Sequence, residues 1–363
     1  MCYYELMIKS FLIVKTSSVG DIIQSFPVLQ YLHAKFPGCQ IDWVVEKRYA
    51  DLLTAHPLVN RVFFIDSYTW RKNWFRQATW KEIFSFKSQL QKISYEAIFD
   101  LQGNIKSAFI TSGAKGKSKI GFGWSSVAEK PNVFVTTHRF NVADDLPIQQ
   151  RYLSLVQSYF KETEEFQPSS SHLKLSDKEE QDLKKMISHP INFMVAFGSK
   201  WENKQLSSPT LECFLQKIDS TYHPYFFFVG GNEKEKKRAE ELTLLFSGRS
   251  NSLGHLSFPF WQGLMREMDC VIAMDSAALH LCGTTETPSF SVFGPSSSSV
   301  YKPVGEHHTS VQGVCPYHQH FVKRCPLLRT CSTGACIKNL EAEALFESFC
   351  ALNTRHKAHK ELL

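Results

Sequence analysis

The chain has 363 residues, 43% apolar and 21% charged, with 18 glycines and 15 prolines at no fixed period; that suffices for two packed domains and excludes fibrous and disordered classes. Its 41 Lys and Arg against 35 Asp and Glu leave a formal charge of +6, too modest for a dedicated nucleic-acid-binding domain but suited to an anionic substrate or the anionic face of a membrane. No apolar run approaches the roughly 18 residues of a spanning helix, and the first, Phe11 to Val14, is too short for a signal peptide, so the expectation is a cytoplasmic protein whose ten cysteines are reduced thiols.

In chain order, Phe11-Leu-Ile-Val14 is a β-rich run ending in Thr16-Ser-Ser-Val-Gly-Asp21, after which Ile22, Ile23, Phe26, Leu29 and Leu32 recur at helical spacing. The pattern continues with a strand at 41–45, a helix at 49–55, a strand at 61–65, an amphipathic helix at 80–92 and a strand at 97–100. Such alternation predicts a parallel α/β sheet. From Glu162 to Pro190 the composition turns polar and reads as a linker, with a charged helix over 176–187. A second series follows, with strands at 193–197, 225–229, 270–274 and 289–293, and residues 340–363 read as a final helix with a solvated basic end at Arg355–Lys360. The expected organisation is two Rossmann-like domains facing each other across a cleft, residues 1–170 and 171–345, with a helical tail at 346–363.

Strand-to-helix turns of parallel sheets are where ligands bind. Backbone N–H groups of Ser18 to Asp21 favour an anion there, yet the turn also carries a carboxylate. On its own, Asp21 reads either as a helix cap or as a general base for a hydroxyl. In the second half, Asp275-Ser276 opens a helix whose first N–H groups can receive a pyrophosphate, and His280 lies one turn on, on the face of Ser276. Lys204 is a cation able to meet charge on a leaving diphosphate. No Asp-x-Asp triplet occurs, so the usual carboxylate clamp for a diphosphate-bound metal is missing. Trp70-Arg-Lys-Asn-Trp-Phe-Arg76 mixes aromatics with cations, a composition that suits an acidic sugar, a membrane surface or a single-stranded nucleic acid. Cys315, Cys325, Cys331 and Cys336 are zinc-ligand types without paired C-x-x-C spacing.

Lys15-Thr-Ser-Ser-Val-Gly-Asp21 with Pro27, Asp42-Trp-Val-Val-Glu46, Trp70-Arg-Lys72, Asp100-Leu-Gln-Gly-Asn-Ile-Lys-Ser107, Gly198-Ser-Lys-Trp-Glu-Asn-Lys204, Gly231 with Glu235, Asp275-Ser-Ala-Ala-Leu-His280 and Phe293-Gly-Pro295 follow one another over almost the whole chain. In this order they resemble the ADP-heptose:lipopolysaccharide heptosyltransferases of glycosyltransferase family 9, closest to the heptosyltransferase I type. The resemblance implies the GT-B fold, with the acceptor held by the N-terminal domain and a nucleotide-sugar donor by the C-terminal one. It implies Asp21 as general base and Lys204 as leaving-group stabiliser. Donor-site residues would be Ser199, Lys200, Gly231, Glu235 beside the nucleoside, Asp275, Ser276, Ala277 and His280. Acceptor-site residues would be Ser18, Gly20, Arg71, Lys72, Gln102 and Lys106, with the cysteine segment structural.

This sequence departs from the family pattern in having Tyr68 and Thr69 where arginines are usual, Ala128 at another basic position, and Ala277 where glycine is frequent. The implied partners are ADP-heptose and Kdo-lipid A, met by a monomer in peripheral contact with the cytoplasmic face of the inner membrane, with no nucleic acid, no cofactor and no essential metal. Two other readings keep the fold: a transferase for another nucleotide sugar or acceptor, and a non-catalytic binder of nucleotide sugars or lipopolysaccharide. Asp21 and Lys204 together argue against the latter, because binding alone needs no base.

Overall fold

The structure, a computed structural model, describes residues 8–360, with side chains described to residue 351. The chain divides into two compact units, Met1–Lys174 and Leu175–Leu363. In the first, β1 (Ser10–Val14), β2 (Gln40–Glu46), β3 (Arg61–Ile65), β4 (Ser94–Asp100), β5 (Lys115–Phe122) and β6 (His138–Phe140) form one parallel sheet in the order β3-β2-β1-β4-β5-β6. Phe11 to Val14 are wholly buried, as a central strand covered on both faces requires.

The second unit repeats this order. Its strands are β7 (Asn192–Ala196), β8 (Tyr225–Val229), β9 (Ser250–Leu253), β10 (Cys270–Met274), β11 (Ser289–Phe293) and β12 (His308–Gln312), arranged β12-β11-β10-β7-β8-β9 and again all parallel. In both sheets the winding reverses beside the first strand, between β1 and β4 and between β7 and β10. A crevice at the carboxyl ends of those two strands follows from the topology. The helix Ala342–Lys360 packs on this unit: Phe349 is fully buried, its ring 5.8, 6.0 and 5.5 Å from those of Phe193, Phe214 and Phe290. Each such aromatic pair contributes about 0.5–1.5 kcal/mol beyond area burial. The basic stretch Arg355–Lys360 lies beyond the described side chains, and residues 361–363 lie outside the described residues.

The structure differs from the sequence expectation in detail. The helix after β1 is broken into Val19–Ile23 and Phe26–Lys35: the Ser25 hydroxyl donates back to the Ile22 carbonyl at 2.7 Å, and Pro27 in the first turn of the second segment has no N–H to continue the first. The helix expected at 49–55 is a 3-10 turn, Lys47–Tyr49, followed by Ala50–Thr54. Four strands, β5, β6, β9 and β12, were not anticipated.

Candidate functional site

In the second unit, β7 runs into the loop 197–207, whose 3-10 turn Glu202–Lys204 carries Lys204, and β10 runs into Asp275. Because β7 and β10 are neighbours, residues 204 and 275 meet. The Lys204 ammonium donates to Asp275 Oδ2, and both residues are 7% exposed. Ser296, beyond β11, donates its hydroxyl to the same oxygen, and His280 Nε2 lies 3.7 Å from Oδ1. Burial by itself pushes the Asp275 carboxyl up; the charges of Lys204 and His280 and the hydrogen bonds from Lys204 and Ser296 outweigh it and hold the carboxyl below the usual carboxylate range. The Ser199 hydroxyl donates to the Asp275 carbonyl at 3.3 Å, and Ser276 stands at the N-cap position of the helix Ala277–Cys282, on which His280 sits.

A cavity of about 600 Å³, a size that holds a small organic ligand, lies over the ends of β7, β8 and β10. Phe197, Leu206, Leu211 and Met274 give it apolar walls, and Ser199, Lys200 and Glu235 line its polar side. Five cations (Lys200, Lys234, Lys237, Arg238 and Lys338) outnumber the three carboxylates of Glu202, Glu235 and Glu241, which favours an anion. Glu235 is held in place rather than left in the surface charge run. Its N–H donates to the Asn232 side chain, which caps the helix Glu233–Leu245, and its Oε2 accepts the Gly231 N–H at 2.8 Å. Its carboxylate occupies the space that a Cβ on Gly198 would need, 2.4 Å from the Glu235 Cδ, so only glycine at 198 allows this approach.

In the first unit, Asp21 Oδ2 accepts from the Ser18 N–H (3.1 Å) and the Ser18 hydroxyl (2.6 Å), so the carboxylate caps its own helix in a fixed orientation. Gly20 lies in the same turn. Across the switch point, Gln102 Oε1 accepts from the N–H groups of Thr16 and Ser17, each at 3.0 Å. The loop bearing Gln102 is fixed in turn by the fully buried Asp100, which accepts from the N–H groups of Gln102 and Gly103 through Oδ1 and from Thr111 and Asn132 through Oδ2. Burial pushes the Asp100 carboxyl up, against the lowering pull of the Gly103 N–H, the Asn132 and Ser107 side chains and the Gln102 N–H.

Lys106 is not directed at solvent: its ammonium bonds Glu46 at 2.6 Å. Glu46 also accepts from Ser67, at the start of the helix Ser67–Lys72, so one buried carboxylate ties Lys106 to the element carrying Arg71 and Lys72. Arg71 and Lys72 themselves are exposed on the last turn of that helix. Tyr49 stands near Asp21 and Glu46: burial and those two carboxylates push its phenol up, and Arg48, stacked 4.7 Å from the ring, opposes them. Glu46, Tyr49 and Ser296 were not singled out as site residues from sequence. Glu46 alone had a signal there, as the last residue of the segment Asp42–Glu46 at a strand's carboxyl end.

The four thiols of Cys315, Cys325, Cys331 and Cys336 line one apolar cavity of about 120 Å³. Burial, with the three neighbouring thiols, pushes Cys336 up to about 11, whereas the Gly334 N–H and the Thr333 hydroxyl pull Cys331 down. The same segment holds the loop of Lys204, since the Asn203 side-chain amide donates to the carbonyl of Leu328 at 2.7 Å. Among the described residues no group of three or more His, Cys, Asp or Glu side chains is arranged to hold a metal ion, and no helix is long and apolar enough to cross a membrane.

The model of glycosyltransferase family 9 (heptosyltransferase) matches residues 83–330. A lipopolysaccharide heptosyltransferase 1 of Escherichia coli K12 is 37% identical over 118 residues, 32% of this chain and 37% of that protein, so the aligned stretch spans little more than a third of that relative's length. The lipopolysaccharide heptosyltransferase 1 of Campylobacter coli aligns more extensively, at 26% identity over 308 residues, 80% of this chain and 86% of that one. Among solved structures, the E. coli heptosyltransferase WaaC with ADP superposes with a TM-score of 0.78 at 21% identity, covering 94% of this chain and 99% of that one, and so shares the GT-B fold of two Rossmann-like units.

Proposed function

The chain belongs to glycosyltransferase family 9 (heptosyltransferase), and from that premise we propose that it transfers heptose from ADP-heptose to the Kdo-lipid A inner core of lipopolysaccharide with inversion at the anomeric carbon. The observation that carries the reading is the buried Lys204–Asp275–His280–Ser296 cluster at the end of β10, with a cation-rich cavity of about 600 Å³ over the same strand ends. The nucleoside takes the apolar walls and Glu235; the diphosphate takes Ser199, Lys200 and the N–H groups of Ser276 and Ala277.

Asp21 accepts the proton of the acceptor hydroxyl. The freed oxygen bonds to the anomeric carbon, the bond from that carbon to the β-phosphate oxygen breaks, and ADP leaves with the electron pair. Ser18 holds the Asp21 carboxylate in one orientation, and Gln102 fixes the backbone that leads into that turn. Asp275 pre-positions the Lys204 ammonium, so no ordering is needed as charge grows on the diphosphate. With these cations in place, and in a chain without an Asp-x-Asp triplet, the transfer is proposed to run without an essential metal or other cofactor. Arg71, Lys72 and Lys106 serve the acidic acceptor, whose lipid anchor places peripheral contact with the inner membrane within the reading.

The test is release of ADP by purified protein given ADP-heptose and Kdo-lipid A, run beside UDP-sugars and beside neutral sugar acceptors. Turnover confined to the first pair supports the reading. Turnover with a UDP-sugar alone moves the protein to another donor, and tight ADP-heptose binding without turnover on any acceptor makes it a binding protein.

A further inference from the structure

The helix Gln77–Leu90 is amphipathic in an unusual sense. Thr79, Ile83, Phe86 and Leu90, spaced four, three and four apart, face the core, where Phe86 packs against Trp70 at 6.1 Å. The face directly opposite carries Gln77, Lys81 and Ser88, but the flank between the two is apolar: Trp80 and Phe84 stand there, one turn apart with rings 6.2 Å from each other, and Phe84 is 63% exposed. The loop before this helix adds Trp74 and Phe75, 66% and 68% exposed, and the helix Ser67–Lys72 adds Tyr68. Scattered exposed apolar residues are ordinary, but five large aromatics exposed within one short segment form a patch that water does not explain.

Charge accompanies the aromatics. Between residues 67 and 90 the cations are Arg71, Lys72, Arg76, Lys81 and Lys87, all exposed, and the sole acid is Glu82. Glu82 is itself engaged, accepting the Trp70 indole N–H at 2.9 Å. Aromatic rings that seat at headgroup depth, ringed by cations, match an anionic bilayer surface. A protein partner would call for an apolar centre depleted in charge, which this patch lacks.

We propose that the surface formed by residues 67–90 docks the protein on anionic phospholipid, with Trp74, Phe75, Trp80 and Phe84 inserted at the headgroup level and Lys81 and Lys87 over the lipid phosphates. This deepens the reading of peripheral membrane contact by naming its surface. It is independent of the transfer chemistry, because the vesicles that test it contain no acceptor.

The experiment is co-sedimentation of the full chain with phosphatidylethanolamine vesicles containing about 30% phosphatidylglycerol, and with neutral phosphatidylcholine vesicles. The wild type is expected to bind the anionic vesicles at least tenfold more tightly than the neutral ones, and to be released at about 0.5 M salt. Lys81→Glu/Lys87→Glu is expected to lower partitioning by at least tenfold, at roughly fivefold for each charge removed, and Trp74→Ser/Phe75→Ser by a comparable amount. Leu244→Ser, at an exposed position of the other unit, serves as control and leaves binding unchanged. Thermal melts within about 2 °C of wild type certify that the variants fold. Equal binding by wild type and both double variants overturns the proposal. So does absence of binding to anionic vesicles, or a single-stranded oligonucleotide that binds through these residues where vesicles do not.

Discussion

Removing one member of the Lys204–Asp275 pair exposes how much the donor-side site depends on it. Both side chains are almost wholly buried. Lys204→Met leaves the carboxylate with His280 and Ser296, and Asp275→Asn leaves a buried ammonium facing an amide. Breaking a buried ion pair from one side costs about 3–5 kcal/mol, because the surviving charge is left without its counter-ion. In a unit of this size each kcal/mol moves the melting temperature by roughly 2–4 °C, so each single variant is expected to melt some 6–20 °C below wild type at pH 7. The double variant Lys204→Met/Asp275→Leu, which removes both charges, is expected to recover more than half of that loss.

The pH dependence supplies a sign. The folded Asp275 carboxyl lies below its unfolded value of about 3.9, so in the wild type its contribution is full above that value and is lost as pH falls through the folded one. Without Lys204, burial is less opposed and the carboxyl moves up, so the variant loses stability as pH rises from about 4. The gap between wild type and Lys204→Met therefore widens from pH 4 to pH 7, as read by scanning calorimetry on matched buffers. Single variants within 2 °C of wild type at pH 7, or a gap that narrows as pH rises, would refute the argument.

Three further outcomes follow from the same geometry. Asp21→Asn keeps the cap to Ser18 and removes the basicity, so turnover should drop by roughly two to four orders of magnitude with ADP affinity unchanged in calorimetry; near-normal turnover removes the base from Asp21. Gly198→Ala puts a methyl where the Glu235 carboxylate lies, and should weaken ADP binding by at least tenfold while the melt shifts little; unaltered affinity would detach Glu235 from the nucleoside. Transfer should survive excess EDTA, and complete loss restored by Mg²⁺ or Mn²⁺ would show that Lys204 and the cavity cations do not suffice for the leaving diphosphate.

The sheet centres were legible because central parallel strands are continuous apolar runs: Phe11 to Val14 and Cys270 to Met274 read as strands at sight. The missed strands lie at or next to a sheet edge, where one flank is open and polar residues are tolerated. β9 is Ser-Asn-Ser-Leu, β12 His-Thr-Ser-Val-Gln, and β5 begins Lys-Gly-Lys-Ser-Lys, none with a usable period. The site divides in the same way. The turns at residues 16–21 and 275–280 announce themselves by sitting where a strand becomes a helix. That Lys204 and Asp275, 71 residues apart, share a proton-bearing contact depends on β7 and β10 being neighbours, which no local pattern encodes. Ser296 had no motif, and the hold of Glu46 on Lys106 joins the end of β2 to the start of the helix Ile105–Gly113.

The most direct test of the account is intact-mass analysis of Kdo-lipid A after incubation with the purified protein and ADP-heptose, in the presence of EDTA. The account predicts a product heavier by one heptose residue, formed by the wild type and absent with Asp21→Asn. An acceptor mass unchanged with folded wild-type protein that binds ADP, or the same product formed by Asp21→Asn at the wild-type rate, would contradict it.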